Sequence, residues 1–378
     1  MPAYLDNAAT TPMRPEAVEA MLPYLTDRFG NPSGSHAVSR EAKKALEEAR
    51  DVVAAALGAE PGEVVFTGGG TEADNLAIAG VVIGRPGTVV CSAVEHHAVL
   101  HASHAFKCRV APVGRDGVLD LPALAARLDG DVSVVAVMLA NNEVGTVQPL
   151  AEVVALAAER APEAVVMTDA VQAFQWLDVA RLAAGAGLVA VSGHKFGGPK
   201  GVGALVVRRG VRVRPILHGG GQERDRRSGT HNVAGIVAMA AAMQATVAER
   251  EATVARVGAL RDRLADGLLA AIPGAVETGD RSRKIAGNCH LTFDGIESES
   301  LLLLLDAAGV YASAGSACTS GAVEPSHVLA AMGVPYERGL AALRLSLGTT
   351  TTGADVDLAL GAVPAAVARL RAGAGAAG

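Results

Sequence analysis

Short apolar runs alternate with helical patterns through the first half of this 378-residue chain, and no other feature restricts its fold as much. The runs are rich in valine and have turn-forming residues around them, which is typical of strands buried on both faces of a parallel sheet. The predicted strands span residues 63–67, 88–92, 133–140, 164–169, 188–192 and 203–208. The predicted helices span residues 40–57, 71–83, 98–106, 121–128 and 150–160. This alternation predicts an α/β fold with helices on both faces of one sheet.

The pattern changes after a long helical stretch at residues 233–269. The later part of the chain has one predicted strand with helices around it, which favours a smaller α+β domain. The strand spans residues 289–293, and the helices span residues 297–308, 326–332 and 354–371. We place the large domain at residues 15–255, and the small domain at residues 1–14 together with residues 256–378.

Composition excludes several classes of protein. The formal net charge is −6, so no broad basic surface for nucleic acid is expected. No apolar run has the length and freedom from charge that a membrane span needs. The first residues lack the apolar segment of a secretory signal, and the four cysteines are scattered without a CxxC pair. We therefore expect a cytoplasmic protein with reduced thiols, and no disulfide framework.

Polar residues come directly after the predicted strands, at the edge of the sheet where ligands bind in α/β proteins. After the first strand, glycines up to Gly70 lead into a helix that opens at Thr71. A helix N-terminus of this kind binds phosphate through its backbone N–H groups. Ser192 and His194 follow a later strand and add donors at the same edge. For Thr71, an ordinary helix cap is the alternative.

Four histidines follow the strand at residues 88–92, namely His96, His97, His101 and His104. The i,i+4 spacing of His97 and His101 resembles a zinc-binding helix, but the glutamate of a metalloprotease is missing between them. A metal-dependent hydrolase is therefore one open alternative. The other is that His96 stacks on a flat cofactor or transfers protons, while His101 and His104 lie at the surface.

A carboxylate and a lysine complete this edge. Asp169 ends an apolar strand without an adjacent cation, and a buried unpaired carboxylate costs several kcal/mol, so a protonated heterocyclic nitrogen would suit it. Gln172 can contact a ring oxygen. Lys195, one of only six lysines, lies in the glycine-rich stretch SGHKFGGPK. Burial would free its neutral amine to form a Schiff base, whereas a surface position is the alternative for Lys195 and for Lys200.

Together these groups match the needs of pyridoxal 5'-phosphate. The phosphate would contact Gly70, Thr71, Ser192 and His194, and the ring would lie between His96 and the pair Asp169 and Gln172, with Lys195 at its aldehyde. A carboxylate beside the pyridine nitrogen keeps that nitrogen protonated and makes the ring an electron sink. No other common cofactor needs all of these groups.

The motifs also resemble one known family. YLDNAATTP, FTGGGTEADN, NNEVGTVQP, SGHKFGGPKGVGAL, GGGQERDRRSGTHN, GSACTSGAVEPSHVL and LRLSLG occur in order from residue 4 to residue 348. In this order they are similar to the motifs of cysteine desulfurases, which are fold-type-I pyridoxal-phosphate enzymes of the class V aminotransferase group. The resemblance implies a large domain with a mostly parallel, seven-stranded sheet covered by helices, and conversion of L-cysteine to L-alanine.

The resemblance also implies roles for residues that the strand pattern does not reach. Cys318 would be the nucleophile that takes the sulfur as a persulfide, and Asn142 and Arg344 would bind the substrate, with Asn142 also near the cofactor. Thr230 would reach the phosphate bound by a neighbouring subunit, which implies a homodimer. The sulfur acceptor would be an iron–sulfur scaffold protein or a thiolation enzyme.

Three alternatives stay open on the residues alone. Cys108 lies between Lys107 and Arg109, whose charges would lower a thiol pKa, so it rivals Cys318 as a nucleophile. A different enzyme of the same fold, such as an aminotransferase or a selenocysteine lyase, would also use Lys195. A non-enzymatic partner protein on this fold would lack Lys195, Asp169 or Cys318, and none of these is lost.

Overall fold

The computed structural model describes residues 2–314 and 325–376. The strands are β1 (Ala3–Tyr4), β2 (Val64–Thr67), β3 (Thr88–Ser92), β4 (Cys108–Ala111), β5 (Val132–Ala136), β6 (Val165–Asp169), β7 (Leu188–Ser192), β8 (Gly203–Val207), β9 (Val276–Glu277), β10 (Asn288–Thr292), β11 (Val310–Tyr311) and β12 (Ala342–Ser346). The helices are α1 (Pro15–Leu25), α2 (Ala37–Ala56), α3 (Gly70–Gly84), α4 (His97–His104), α5 (Leu121–Ala125), α6 (Leu150–Arg160), α7 (Val179–Leu182), α8 (Val233–Ala271), α9 (Ser298–Ala307), α10 (His327–Ala331), α11 (Tyr336–Gly339) and α12 (Gly353–Ala376).

A seven-stranded sheet forms the centre of the first part of the chain, in the order β2-β8-β7-β6-β5-β3-β4. The predicted α/β fold with a mostly parallel sheet is therefore confirmed. β8 is the exception, because it runs antiparallel to both β2 and β7. The reason is its connection: the short segment between β7 and β8 turns the chain back directly, whereas a parallel neighbour needs a long crossover.

The two faces of this sheet explain the apolar runs. Successive strand residues point to opposite faces, and Val89 and Val134 belong to the buried cluster under α3 and α4. Their neighbours Val90 and Val135 belong to the other cluster, beneath α2, α6 and α8. Since both faces are covered, no strand residue needs to be polar until the strand ends.

Two strand predictions for the seven-stranded sheet were wrong in detail, and outside it β1, β9, β11 and β12 were not predicted. β4 was missed because Arg109 and the preceding Lys107 interrupt its apolar character, which an edge strand with an exposed side tolerates. The strand predicted at residues 133–140 ends at Ala136. Beyond it the chain stays beside β6, with backbone hydrogen bonds from Val137 to Met167 at 3.0 Å and from Leu139 to Asp169 at 2.9 Å.

The 39-residue helix α8 leads from the large sheet to a second, smaller one. That sheet has the order β12-β10-β9 and is antiparallel. The amino-terminal strand β1 pairs with β11, from the same later part of the chain. The predicted grouping of residues 1–14 with residues 256–378 in one domain, and its boundaries, stay a prediction. In the part of the chain described, no helix combines the length and apolar character needed to cross a bilayer.

Candidate active site

One cavity of about 930 Å³, open mouth included, lies beyond the carboxyl ends of the central strands. The amino-terminal segment and β12 close it from the other side. Ten of the residues predicted for the site line this cavity: Gly70, Thr71, His96, Asn142, Asp169, Gln172, Ser192, His194, Lys195 and Arg344. Polar groups that lie far apart in sequence thus converge on one space, as in ligand sites of other α/β proteins.

An anion cradle forms where β2 meets α3. Gly69 precedes the helix with φ +149°, a conformation that side chains rarely adopt, and Gly70 opens it. A Cβ on Gly70 would lie 2.9 Å from the Val171 side chain, so only glycine fits there without a shift. Gly70, Thr71 and Ser192 line the cavity, and the first N–H groups of a helix have no partner within the helix. Burial and the nearby Lys195 lower the pKa of His194 to about 4, so at neutral pH it is a neutral donor or acceptor.

Asp169 lies at the end of β6 and is 6% exposed. Burial raises the pKa of its carboxyl to about 6, while the Val171 N–H at 2.8 Å and the charge of Lys195 oppose that rise. Gln172, a short turn later, donates to the Ala8 carbonyl at 2.7 Å. Its amide is therefore fixed in orientation at the cavity wall.

Lys195 follows β7 in a short 3-10 turn. Its ammonium donates to the carbonyls of Ala8 at 2.6 Å and Ala9 at 2.8 Å. The alternative of a surface lysine is wrong for Lys195, whereas Lys200 is exposed. Two backbone carbonyls from the amino-terminal segment hold the amine inside the cavity, a contact that no sequence motif signals.

His96 is the N-cap of α4 and borders the cavity. Its Nδ1 accepts from the Ala98 N–H at 3.1 Å, so the helix end fixes the ring. Burial, followed by the charge of Lys195, lowers its pKa to about 4. His96 is therefore neutral at pH 7, and because Nδ1 accepts a hydrogen bond, its proton lies on Nε2.

The other histidines form a ring cluster at the mouth. The ring of His97 lies 5.1 Å from that of His101 and 4.6 Å from that of His327, centroid to centroid. Within residues 2–314 and 325–376, no three His, Cys, Asp or Glu side chains are placed to hold a metal ion. The ring of His97 therefore packs against those of His101 and His327, and the three do not form a ligand set.

Arg344 projects from β12 into the cavity and is 3% exposed. Its two terminal nitrogens contact the Asp6 carboxylate at 2.8 Å and the Asn142 carbonyl at 3.0 Å. Asn141, the preceding residue, is a structural amide: it donates to the Val94 carbonyl and accepts the N–H groups of the next turn. Of the two adjacent asparagines, only Asn142 borders the cavity.

Two further carboxyl groups at this site were not predicted. Asp74 borders the cavity one helical turn after Gly70, and Glu95 lies beneath it; they are 1% and 0% exposed. Burial and then the nearby acids raise the pKa of both well above its usual range. Burial thus disfavours the charged form of both carboxyl groups, although the Met138 N–H opposes this at Glu95, and the charge of Lys195 favours the ionised form of Asp169.

One of the predicted residues that the structure describes is not brought together with the rest. Thr230 is exposed and does not border the cavity of its own chain. Cys318 lies outside the described residues.

The loop before Thr230 contains three consecutive residues, Glu223 to Asp225, in the left-handed region at φ +51°, +58° and +62°. Such strain persists only when the surroundings hold the loop.

Glu223 is the group that holds this loop. Its carboxylate accepts two hydrogen bonds from Arg50 at 2.8 and 2.9 Å, one from the Phe66 N–H at 2.8 Å, and faces His231 at 2.7 Å. Burial opposes its ionisation, but these bonds outweigh burial and lower its pKa to about 2. The loop that carries Thr230 is thus a fixed projection on the protein surface.

Sequence comparison identifies the family to which this chain belongs. The sequence model described as "Aminotransferase class-V" matches residues 3–359. The chain is 46% identical to "Cysteine desulfurase IscS" of Methanosarcina thermophila, across 97% of this chain and 92% of that protein. It is 48% identical to "IscS-like cysteine desulfurase" of Mycobacterium tuberculosis, across 98% and 97%. The chain belongs to the cysteine desulfurases of the class-V aminotransferase family.

Solved structures agree with this membership. A structure titled "NIFS-LIKE PROTEIN" superposes with a TM-score of 0.91 at 34% identity, covering 98% of this chain and all of that one. The fold-type-I architecture expected of a class-V aminotransferase is therefore present. The predicted resemblance to cysteine desulfurases is confirmed, whereas the individual roles of the cavity residues stay predictions.

Proposed function

We propose that this chain is a pyridoxal-phosphate-dependent cysteine desulfurase that converts L-cysteine to L-alanine and passes the sulfur through Cys318 to an acceptor. The observation that carries the proposal is the single cavity in which Lys195, Asp169, His96 and Arg344 face an anion cradle. A metal-dependent hydrolase would leave Lys195 and Asp169 without a role.

The residues present fit the cofactor. Gly70 leaves a concavity that a Cβ would fill, at a helix end with free N–H groups suited to a phosphate. Asp169, buried and with its pKa raised to about 6, suits a cationic ring nitrogen. Gln172 and His96 would contact the ring oxygen and the ring face, and Asn142 would lie beside it. When bound, the cofactor supplies an electron sink for the substrate carbon.

The remaining chemistry belongs to the side chains of this protein. Arg344 would bind the substrate carboxylate, and Asp6 keeps its guanidinium in place until then. Lys195, once its amine is free, would remove the proton from the substrate Cα and hold it at Nζ. Neutral His96, whose Nδ1 accepts the Ala98 N–H, carries its proton on Nε2 and would present that N–H as a donor beside it.

The sulfur step would use Cys318 as a thiolate. Its sulfur attacks the substrate sulfur, a new S–S bond forms, and the C–S bond of the substrate breaks with its electron pair staying on the carbon side. Protonation of that carbon gives alanine, and Cys318 carries the persulfide. An iron–sulfur scaffold protein or a thiolation enzyme would receive it. Thr230, on its fixed loop, would complete the phosphate site of a second subunit, which makes the active form a homodimer.

The proposed activity has a direct test. Purified protein supplied with pyridoxal phosphate should show a visible absorption band that borohydride removes, because the amine of Lys195 binds the aldehyde. With L-cysteine and a thiol reductant, alanine and sulfide should appear in equal amounts. Formation of a 2-oxo acid in place of alanine would identify an aminotransferase, and a protein that never acquires the band would contradict the proposal altogether.

Arg344 gives a sharper prediction about the substrate. Arg344→Gln is expected to lower kcat/KM for L-cysteine by roughly 30- to 5,000-fold, the range for losing one partner of a buried charge pair. The loss should appear mainly in KM. Arg344→Lys keeps the charge but not the two-pronged geometry, so an intermediate loss is expected. Steady-state kinetics on the three proteins measure this.

Cofactor binding serves as the control for the two Arg344 variants. Both variants should keep the visible band of the wild type, because Arg344 lies across the cavity from the anion cradle and would contact substrate. If kcat alone falls while KM is unchanged, the carboxylate-binding role of Arg344 is wrong. A lost band would instead mean that Arg344 maintains the cofactor site.

A further inference from the structure

A pair of thiols lies on the last two strands of the seven-stranded sheet, β3 and β4, and neither thiol lines the cavity. Cys91 on β3 and Cys108 on β4 have their sulfurs 3.7 Å apart, within hydrogen-bond range for sulfur. Cys91 is 1% exposed, whereas Cys108 is only half-buried. Because β4 is the edge strand of the seven-stranded sheet, a reagent can approach Cys108 from the open side.

The different burial of the two thiols determines which one ionises. Charge is costly in the apolar cluster under α3 and α4, where Cys91 lies. Cys91 therefore stays protonated and donates its S–H to Cys108. That hydrogen bond lowers the pKa of Cys108, against the opposing effect of its own partial burial, and the same bond together with burial raises the pKa of Cys91. Of the other groups near the pair, Glu95 and Ser103 act on Cys91.

The flanking charges do not activate Cys108, contrary to expectation from the sequence. Lys107 pairs with Asp131 at 2.6 Å, and Arg109 pairs with Asp129 at 2.8 Å. Neighbouring residues of a strand also point to the opposite face from Cys108. The donor that matters comes from the adjacent strand, seventeen positions earlier in the chain.

Strand register limits what the pair can become. Cys91 pairs with Val110, and Cys108 pairs with Val89, so the two cysteines are diagonal neighbours two residues out of step. From the ordinary strand spacing and rise, their Cα atoms lie about 8 Å apart. A disulfide needs less than about 7 Å. The pairing of β3 with β4 therefore disfavours a disulfide between Cys91 and Cys108, so Cys108 is left to react with another molecule.

We propose that Cys108 is a second nucleophilic thiol of this protein, activated by the Cys91 S–H, that undergoes exchange with small disulfides. The Cys108 thiolate attacks one sulfur of the disulfide and forms a mixed disulfide. The original S–S bond breaks, and the departing thiolate takes the electron pair. The proton of Cys108 goes to solvent. No other oxidant is needed, and the step is independent of the proposed desulfurase activity.

The test uses the full chain loaded with cofactor and carrying Cys318→Ser, so that Cys91, Cys108 and Cys289 remain. The probe is dithiodipyridine, which releases a coloured thione and stays reactive at low pH. One fast equivalent per chain is expected, with the adduct on Cys108 by peptide mass spectrometry. Cys289 is the internal control, because burial raises its pKa to about 12. The pH midpoint of labelling should lie below the ordinary thiol value of about 8.5.

Variants at Cys91 test whether Cys108 reacts fast because the Cys91 S–H activates it, and not only because Cys108 is partly exposed. Cys91→Ala removes the donor and should raise the pH midpoint of Cys108 labelling. For each unit of that rise, labelling at neutral pH should slow about threefold. The smaller fraction of thiolate is partly offset, because a thiolate of higher pKa is more nucleophilic. Cys91→Ser keeps a donor and should behave like the parent. Cys108→Ser should abolish the fast equivalent.

Three results would overturn this proposal. The first is a parent protein labelled first at Cys91 or Cys289. The second is a Cys108 midpoint at or above the ordinary thiol value, which the parent alone reveals even if a Cys91 variant fails to fold. The third is loss of both thiols without an adduct, because that would mean an internal disulfide.

Discussion

Lys195→Ala should abolish the visible band of the bound cofactor and reduce alanine formation by roughly four orders of magnitude or more, a loss comparable to removal of a catalytic nucleophile in other enzymes. The amine is the only group proposed to bind the cofactor aldehyde and to remove the substrate proton, so both functions disappear together. Absorbance after reconstitution and a coupled alanine assay measure the two effects separately.

Lys200→Ala is the matched control. Lys200 lies five residues later in the same glycine-rich stretch but is exposed, so its variant should keep the band and nearly all activity. Lys195→Ala also removes the hydrogen bonds to the Ala8 and Ala9 carbonyls, and a thermal melt shows whether the fold survives. A folded Lys195→Ala protein that still makes alanine at the wild-type rate would refute the role of Lys195.

The residues at strand ends could be predicted because topology places them. In a mostly parallel sheet, the residues after each parallel strand lie at one edge, and Asp169, Ser192 and His194 each end a strand or come directly after one. Their convergence needs no knowledge of packing. The same rule leads to Gly70, since β2 runs parallel to the central strands through the intervening antiparallel β8.

Contacts made through the backbone or across long separations could not be predicted in this way. The carbonyls of Ala8 and Ala9 hold Lys195, yet any residue carries a carbonyl, so no letter in the sequence signals them. Arg344 and Asp6 are 338 positions apart and meet only because β12 and the amino-terminal segment close the same cavity.

Buried acids show a second limit of sequence reasoning. Asp74 and Glu95 have the appearance of ordinary polar residues on a helix and in a loop, because a carboxyl group is usually exposed. Only the packing reveals that both are buried beside Asp169. Cys108 shows the reverse error: its charged neighbours suggested activation, but each is paired with an aspartate, and the group in contact with the Cys108 sulfur is the thiol of Cys91.

The second large effect concerns the sulfur. Cys318→Ser should keep the visible band and the spectral change on adding L-cysteine, yet lose alanine formation by roughly three orders of magnitude or more. The reason is that cofactor binding uses Lys195 and the anion cradle, whereas cleavage of the substrate C–S bond needs a thiolate to accept the sulfur. A serine hydroxyl is not ionised at neutral pH and does not accept sulfur.

The cysteine on which the persulfide forms shows whether Cys318 or Cys108 is the nucleophile. After one turnover with L-cysteine and no reductant, mass spectrometry of the wild type should find one added sulfur atom on the peptide that contains residue 318. Cys108→Ser should give the same result at the same rate, because Cys108 lies at the edge strand β4 and not in the cavity. An added sulfur on Cys108 in the first turnover, or full activity in Cys318→Ser, would show that Cys318 is not the nucleophile. Retention of the spectral change in Cys318→Ser then separates the two halves of the chemistry: the cavity prepares the substrate, and the thiol removes its sulfur.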